Sequence, residues 1–151
     1  MLNILKQHII TLLFSEYEMS QAISNLNELL RTMTPKLNDG VYYFATLNHD
    51  DDLPLAKIIA TIREEEGLSV VINEETVAEY GLQAQFKCAW ISLTVHSDLA
   101  AVGLTAAFAT ALGNVGISCN VVAGNYHDHI FVPYEKATLA MQTLRDLQKL
   151  S

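Results

Sequence analysis

WISLTVHSDLAAVGLTAAFATALGNVGISCNVVAGNYHDHIFVP, residues 90 to 133, reads as a strand, a helix of small residues and a tight hairpin. In the first strand Ile91, Leu93 and Val95 point one way, while Trp90, Ser92 and Thr94 point the other. Ser97 or Asp98 caps the helix that follows. Leu104, Phe108 and Leu112 form its apolar stripe, Gly103, Ala106, Ala107 and Ala111 permit close approach to a sheet, and Gly116 ends it. Ala123-Gly124-Asn125-Tyr126 reads as a two-residue hairpin turn. Pairing Ala123 with Tyr126 sets Cys119 opposite Ile130, Ile117 opposite Val132, Ser118 opposite Phe131, Asn120 opposite His129 and Val122 opposite His127. One sheet face is then a core of Ile91, Leu93, Val95, Ile117, Cys119, Val121, Ile130 and Val132. The other mixes Trp90, Ser92, Thr94, Asn120, His129 and Phe131, the composition of an interface or a ligand wall.

Working outward, the N-terminal half gives weaker signals of the same kind. Ser24 caps a helix with Leu26, Leu29, Leu30 and Met33 inward and Pro35 just past its end. Asn38-Asp39-Gly40 signals a turn, and Val41 to Leu47 a strand. His49 to Leu53 reads as an acidic loop. Ile58 to Arg63 and Leu68 to Asn73 read as strands joined through Glu64-Glu65-Glu66-Gly67, and Glu74 to Tyr80 as a short helix stopped by Gly81. Any crossover helix between Leu47 and Lys57 is lost or shortened. Tyr134 to Leu150 is an amphipathic helix offering Ala137, Leu139, Ala140, Leu144 and Leu147 for packing. No strand candidate follows it, so the C-terminal half lacks one edge of a βαββαβ unit. That edge comes from the first half, from another chain, or from nowhere.

Residues 1 to 18 place Leu2, Leu5, Ile9, Leu12 and Leu13 at helical spacing and read as a helical extension. The apolar run Ile9 to Phe14 is short and has no small-residue cleavage site after it, and Met19 reads as an alternative translation start. The expected division is therefore an extension over 1–18, a first lobe over 19–85 and a second over 86–151. The fold class expected is α+β, two tandem ferredoxin-like lobes with antiparallel sheets and helices on one face.

Composition narrows the function classes. A formal charge of −8 with nine dispersed Lys and Arg argues against nucleic acid. No apolar run reaches the length that spans a bilayer, so a soluble chain without a membrane partner is expected. Cys88 and Cys119 are too few for a disulfide framework, which points to a reducing cytoplasm. No nucleotide or esterase fingerprint occurs, and no nucleophile, base and orienting group assemble, so no catalytic residues and no cofactor are expected. His127 and His129 form an H-x-H pair on one strand face, and with His96 they make a candidate metal site. The register sends Cys119 and Asp128 to the opposite face, which leaves that site short of ligands. Asp50, Asp51 and Asp52 lack the alternation of a calcium loop.

The run from Leu93 to Pro133, together with IATIREEEGLSVVI at residues 59 to 72, resembles the ACT-domain superfamily and a bacterial group of short ACT-like proteins. ACT domains are small regulatory modules that bind amino acids and related metabolites, so the resemblance implies a non-catalytic, cytoplasmic, regulatory protein whose partner is a small molecule, an amino acid above all. It also implies a place for that ligand, between two units, against the loop after the first strand and the start of the first helix. Here these are His96, Ser97, Asp98, Leu99, Val102 and Gly103, with Asn120, Val121 and Val122 on the neighbouring strand and His127 and His129 completing the wall. The start of a helix favours a carboxylate, and Asp98 could answer an ammonium group. The chain departs from the ACT pattern in its absent final strand and in lacking a clear Gly-rich turn after strand one. A homodimer is expected from the uncapped sheet edge and the mixed open face. The rival readings are a metal-dependent protein or enzyme using His96, His127 and His129, and a dimerisation module without a ligand.

Overall fold

The structure, a computed structural model, describes residues 26–48, 51–94 and 102–150. Its elements in chain order are helix α1 (residues 26–32), strands β1 (Thr34–Leu37), β2 (Tyr42–Leu47), β3 (Ile58–Glu64) and β4 (Gly67–Asn73), helix α2 (Glu74–Tyr80), strand β5 (Ala84–Thr94), helix α3 (Leu104–Asn114), strands β6 (Asn120–Ala123) and β7 (Asp128–Pro133), and helix α4 (Ala137–Leu150). The expectations for residues 1–18, the Ser24 cap, Met19 and His49 lie outside the described residues.

All seven strands join one antiparallel sheet in the order β3-β4-β2-β5-β7-β6, with β1 also on β5. The eleven-residue β5 is the hinge of this arrangement. Along one flank Ala84 to Cys88 pairs with β2 and Ile91 to Thr94 pairs with β1, while Cys88 to Leu93 pairs with β7 on the other flank. Each half is thereby a four-stranded ferredoxin-like unit: β3, β4, β2 and the start of β5 in one, β6, β7, the end of β5 and β1 in the other. The expected α+β, tandem ferredoxin-like fold is present, with the two sheets fused through a shared strand.

The edge absent from the second half is β1, supplied by the first. Pro35 suggested only the end of a helix. It lies in a strand that pairs on one side alone, and an edge strand tolerates a residue without an N–H. Between Leu47 and Ile58 the helical structure among the described residues is one turn, Leu55–Lys57, so the first crossover helix is indeed reduced.

The hairpin register is shifted by two residues from the sequence expectation. Ala123 faces Asp128, Val122 faces His129 and Asn120 faces Phe131, and the Gly124 N–H donates to the His127 carbonyl at 2.9 Å. The turn centres on Asn125 and Tyr126, not on Gly124 and Asn125. A shift of two conserves the side of the sheet to which each residue points, so the expected faces survive although the partners do not.

On one face the core gathers Leu30 and Met33, then Ala89, Ile91 and Leu93 of β5, Leu104, Phe108 and Leu112 of α3, and Ala140, Met141 and Leu144 of α4. Full burial of each large aliphatic or aromatic side chain is worth roughly 1.5–3 kcal/mol. Leu139, expected to pack, is instead 43% exposed, because Ala140 and Leu144 take the buried stripe of α4. Further along the same face Ala45, Leu47, Val70 and Ile72 pack with Val77 of α2. The other face carries its own cluster, Tyr42, Val71, Cys88 and Phe131, flanked by Phe44, Trp90 and Val122.

Candidate functional site

The aromatic face is built by alternation in three strands. Tyr42 and Phe44 of β2, Cys88, Trp90 and Ser92 of β5, and His129 and Phe131 of β7 all point to it. Trp90 meets Tyr42 edge-on at 5.4 Å between ring centres and lies nearly parallel to Phe131 at 6.3 Å. Phe44 stands edge-on to Phe131 at 5.5 Å. These are the offset and T-shaped geometries aromatic quadrupoles favour. A bulge in β5, where pairing slips between Tyr42↔Cys88 and Phe44↔Gln85, places Phe86 at φ 52 and its ring 5.9 Å from Phe44.

His129 stands at the end of this cluster as its polar centre. Its Nδ1 accepts the Trp90 indole N–H at 3.1 Å, and the Ser92 hydroxyl lies at the same distance from that atom. Ser92 in turn accepts from the Asn38 amide at 2.9 Å. An indole N–H can only donate, so the Nδ1 lone pair is committed and the ring proton sits on Nε2. Burial holds the His129 pKa below the ordinary histidine value; neighbouring His127 adds to this and Asp128 opposes it. Gly124 packs against the other side of the ring. A Cβ at that position would lie 2.9 Å from the His127 carbonyl oxygen and 3.2 Å from His129 Nε2, so the tip closes only over glycine.

A pH dependence follows. The unfolded chain binds a proton at His129 more readily than the folded chain does, so protonation favours unfolding. Stability contributed by His129 is constant above the unfolded pKa of about 6.5 and declines as pH falls through and below it. The pH dependence of unfolding between pH 7 and 5.5 should therefore flatten in His129→Gln. Equal slopes for wild type and variant would remove this role from His129.

The remaining expected site residues divide by position. Val122 joins the aromatic cluster next to His129. Asn120 is exposed, and its amide donates to the Phe131 carbonyl at 3.2 Å. Val121 packs on the helix-covered face and shares no wall with them. His127 is half-buried, with an Nδ1 that has no hydrogen-bond partner among the described residues. The N-cap of α3 is Gly103, not Ser97 or Asp98 as expected; Gly103 packs against Leu26, while Val102 is 84% exposed. His96, Ser97, Asp98 and Leu99 lie outside the described residues. Among the described residues no three His, Cys, Asp or Glu side chains gather as a metal site. Burial pushes the Cys88 thiol up to about 12 and the Cys119 thiol to about 11, so neither is a thiolate at neutral pH.

Alternation in the sequence puts Trp90 and Ser92 on this face, but their bonds to His129 have no local signal. Asn38 carried no signal beyond its turn, because its partner Ser92 becomes adjacent only through the pairing of β1 with β5.

Two ACT-domain family models match in succession, one over residues 21–89 and one over 85–146. A Vibrio cholerae protein of unknown function, described as a "possible transport protein", is 47% identical over 84% of this chain and 98% of its own, with a TM-score of 0.73. The chain belongs to the ACT-domain superfamily. An Agrobacterium tumefaciens protein shares the fold at 18% identity and a TM-score of 0.61, over 77% of this chain and 89% of its own. The ligand-free regulatory subunit of aspartate kinase from Thermus thermophilus does so at 13% identity and a TM-score of 0.55, over 77% and 97% of the two chains. None of the curated proteins matches. Among the described residues of this ACT protein no helix is long and apolar enough to cross a membrane.

Proposed function

We propose that this ACT protein is a non-catalytic regulatory module that binds a small molecule, an amino acid, at the interface between its lobes or between subunits. The observation that carries this reading is the pair of ACT-domain matches running end to end along one chain. The likeness to the aspartate kinase regulatory subunit supports the same architecture. The proposed division is an extension over 1–18, with ACT-like lobes over 19–85 and 86–151. In this reading Ser97, Asp98 and Gly103 hold the ligand's charged end, and Asn120, Val122, His127 and His129 form the wall beside it. The raised thiol pKa values and the fully engaged Nδ1 of His129 fit a wall better than reaction chemistry. The strands β3 and β6 at the two ends of the sheet leave edges on which a homodimer could be built. Binding would bias how the units pack, since a ligand favours the arrangement it contacts better. A cytoplasmic location suits the two unpaired cysteines.

A thermal-shift screen of the full chain against the twenty amino acids tests this. One amino acid should raise the melting temperature, and saturation at a hundred times its dissociation constant adds about 2.7 kcal/mol. Asp98→Ala should abolish that response while leaving the unliganded melting temperature unchanged. A flat response to all twenty would reject the reading, and a shift only with divalent metals would favour the histidines as metal ligands.

A further inference from the structure

A cleft of about 330 Å³ opens at the junction between the two halves of the sheet, bounded by Leu37, Asp39, Ala89, Tyr134, Ala137 and Thr138. One wall is the end of β1 and the turn after it; the other is the helical turn Tyr134–Lys136 and the start of α4. Such a volume lies at the lower end of the range for small-molecule sites. Leu37 and Tyr134, two large side chains, remain 41% and 43% exposed within this one concavity. Asp39 is its charged group. Among the described residues the Asp39 carboxylate and the Tyr134 and Thr138 hydroxyls accept and donate no hydrogen bond within the protein.

The wall carrying Asp39 is fixed in place. The Asn38 backbone N–H donates to the Trp90 carbonyl at 2.9 Å, the Asn38 amide donates to Ser92 at 2.9 Å, and the Tyr42 hydroxyl donates to the Asp39 carbonyl at 2.6 Å. With the main chain of the turn held, a ligand has only the Asp39 side chain to order on that wall. The neighbouring cation, Lys87, lies 5.2 Å over the Tyr134 ring and 3.9 Å from Glu74, so its charge is already answered. The chain's net charge of −8 adds a field that draws in cations and repels anions.

We propose that this cleft binds a small primary amine carrying a short hydrocarbon chain, with the ammonium on the Asp39 carboxylate and the hydrocarbon on Leu37, Ala89 and Ala137. The cleft's lining shares no described residue with the proposed amino-acid site. An occupant bridges the turn of the first half and the helix of the second, and so ties the two lobes together.

The test is a titration of the full chain with isoamylamine and, separately, with isovalerate, followed by amide chemical shifts. The amine should give saturable shifts at Asp39, Tyr134 and Thr138, and isovalerate should give none. Asp39→Asn keeps the main-chain carbonyl that Tyr42 holds, and should weaken the amine about tenfold or more, the loss of one charge-assisted hydrogen bond. Ala137→Leu fills the floor and should abolish binding by a second route. Asp98→Ala should leave the amine titration untouched, even if it removes an amino-acid response elsewhere. No saturable shift with the amine, equal binding of amine and carboxylate, or amine binding that survives both Asp39→Asn and Ala137→Leu would overturn the proposal.

Discussion

Replacing Phe131 by alanine lowers the unfolding free energy by roughly 3–5 kcal/mol, the range for deleting a buried aromatic side chain. Phe131 is 0% exposed although it points to the side of the sheet away from α3 and α4. Its ring is held between Trp90 and Phe44, and Trp90 in turn donates to His129. Removal leaves a cavity that rigid strands on both sides cannot close, and it also forfeits two aromatic contacts. Tyr126, 78% exposed at the hairpin tip, provides the control; its alanine variant should change stability by no more than about 0.5 kcal/mol. Urea unfolding of both variants measures the contrast. A loss under 1 kcal/mol at Phe131 would mean that the aromatic face is an ordinary solvated surface, and the wall proposed around His129 would lose its rigid backing.

The second large effect belongs to Gly67, at the turn from β3 into β4. Its φ is +146°, and a Cβ there would sit 2.8 Å from the Thr46 methyl and 2.9 Å from the Leu47 carbonyl oxygen. The backbone conformation alone costs a larger residue about 1–3 kcal/mol, and the clash with main chain adds overpacking of about 1–3 kcal/mol. Gly67→Ala should therefore destabilise by several kcal/mol in total. Gly113, helical and with nothing within 4 Å of its missing Cβ, should respond in the opposite sense, with Gly113→Ala neutral or stabilising by about 0.5–1 kcal/mol. Because the sheet is continuous, the Gly67 variant should still unfold in one transition, seen alike by Trp90 fluorescence and by circular dichroism. Two separate transitions would indicate that the lobes fold independently.

Legibility in the sequence followed the range of the interactions involved. Alternation over Trp90 to Thr94 and the apolar stripe Leu104, Phe108 and Leu112 are local patterns, and both predicted the side that each residue takes. The turn after Ala123 was misplaced by one residue because Gly124 offers a familiar turn signal. Its real constraint is the close approach of the His127 carbonyl and His129. β1 was invisible because a four-residue edge strand containing Pro35 has no period of its own and exists only through pairing with Ile91 to Thr94. The same pairing explains why Asn38 was read as a turn residue alone. Trp90, Ser92 and His129 could be set on one face from spacing; that they share a single nitrogen lone pair could not, since this depends on neighbouring strands in register.

The doubled use of β5 has a consequence for synthesis. β1 leaves the ribosome early, yet the residues it pairs with, Ile91 to Thr94, lie some sixty positions later in the chain. The hairpin of β3 and β4 can close soon after it is made, whereas β1 must wait through the whole first lobe. β5 then stays open on its other flank until β7 is complete. Contacts so distant in sequence slow folding and prolong the exposure of unpaired strand edges. A nascent chain halted before β7 would therefore present Trp90 and Ile91 on a strand open along one flank, making arrested translation products a natural client for holding chaperones.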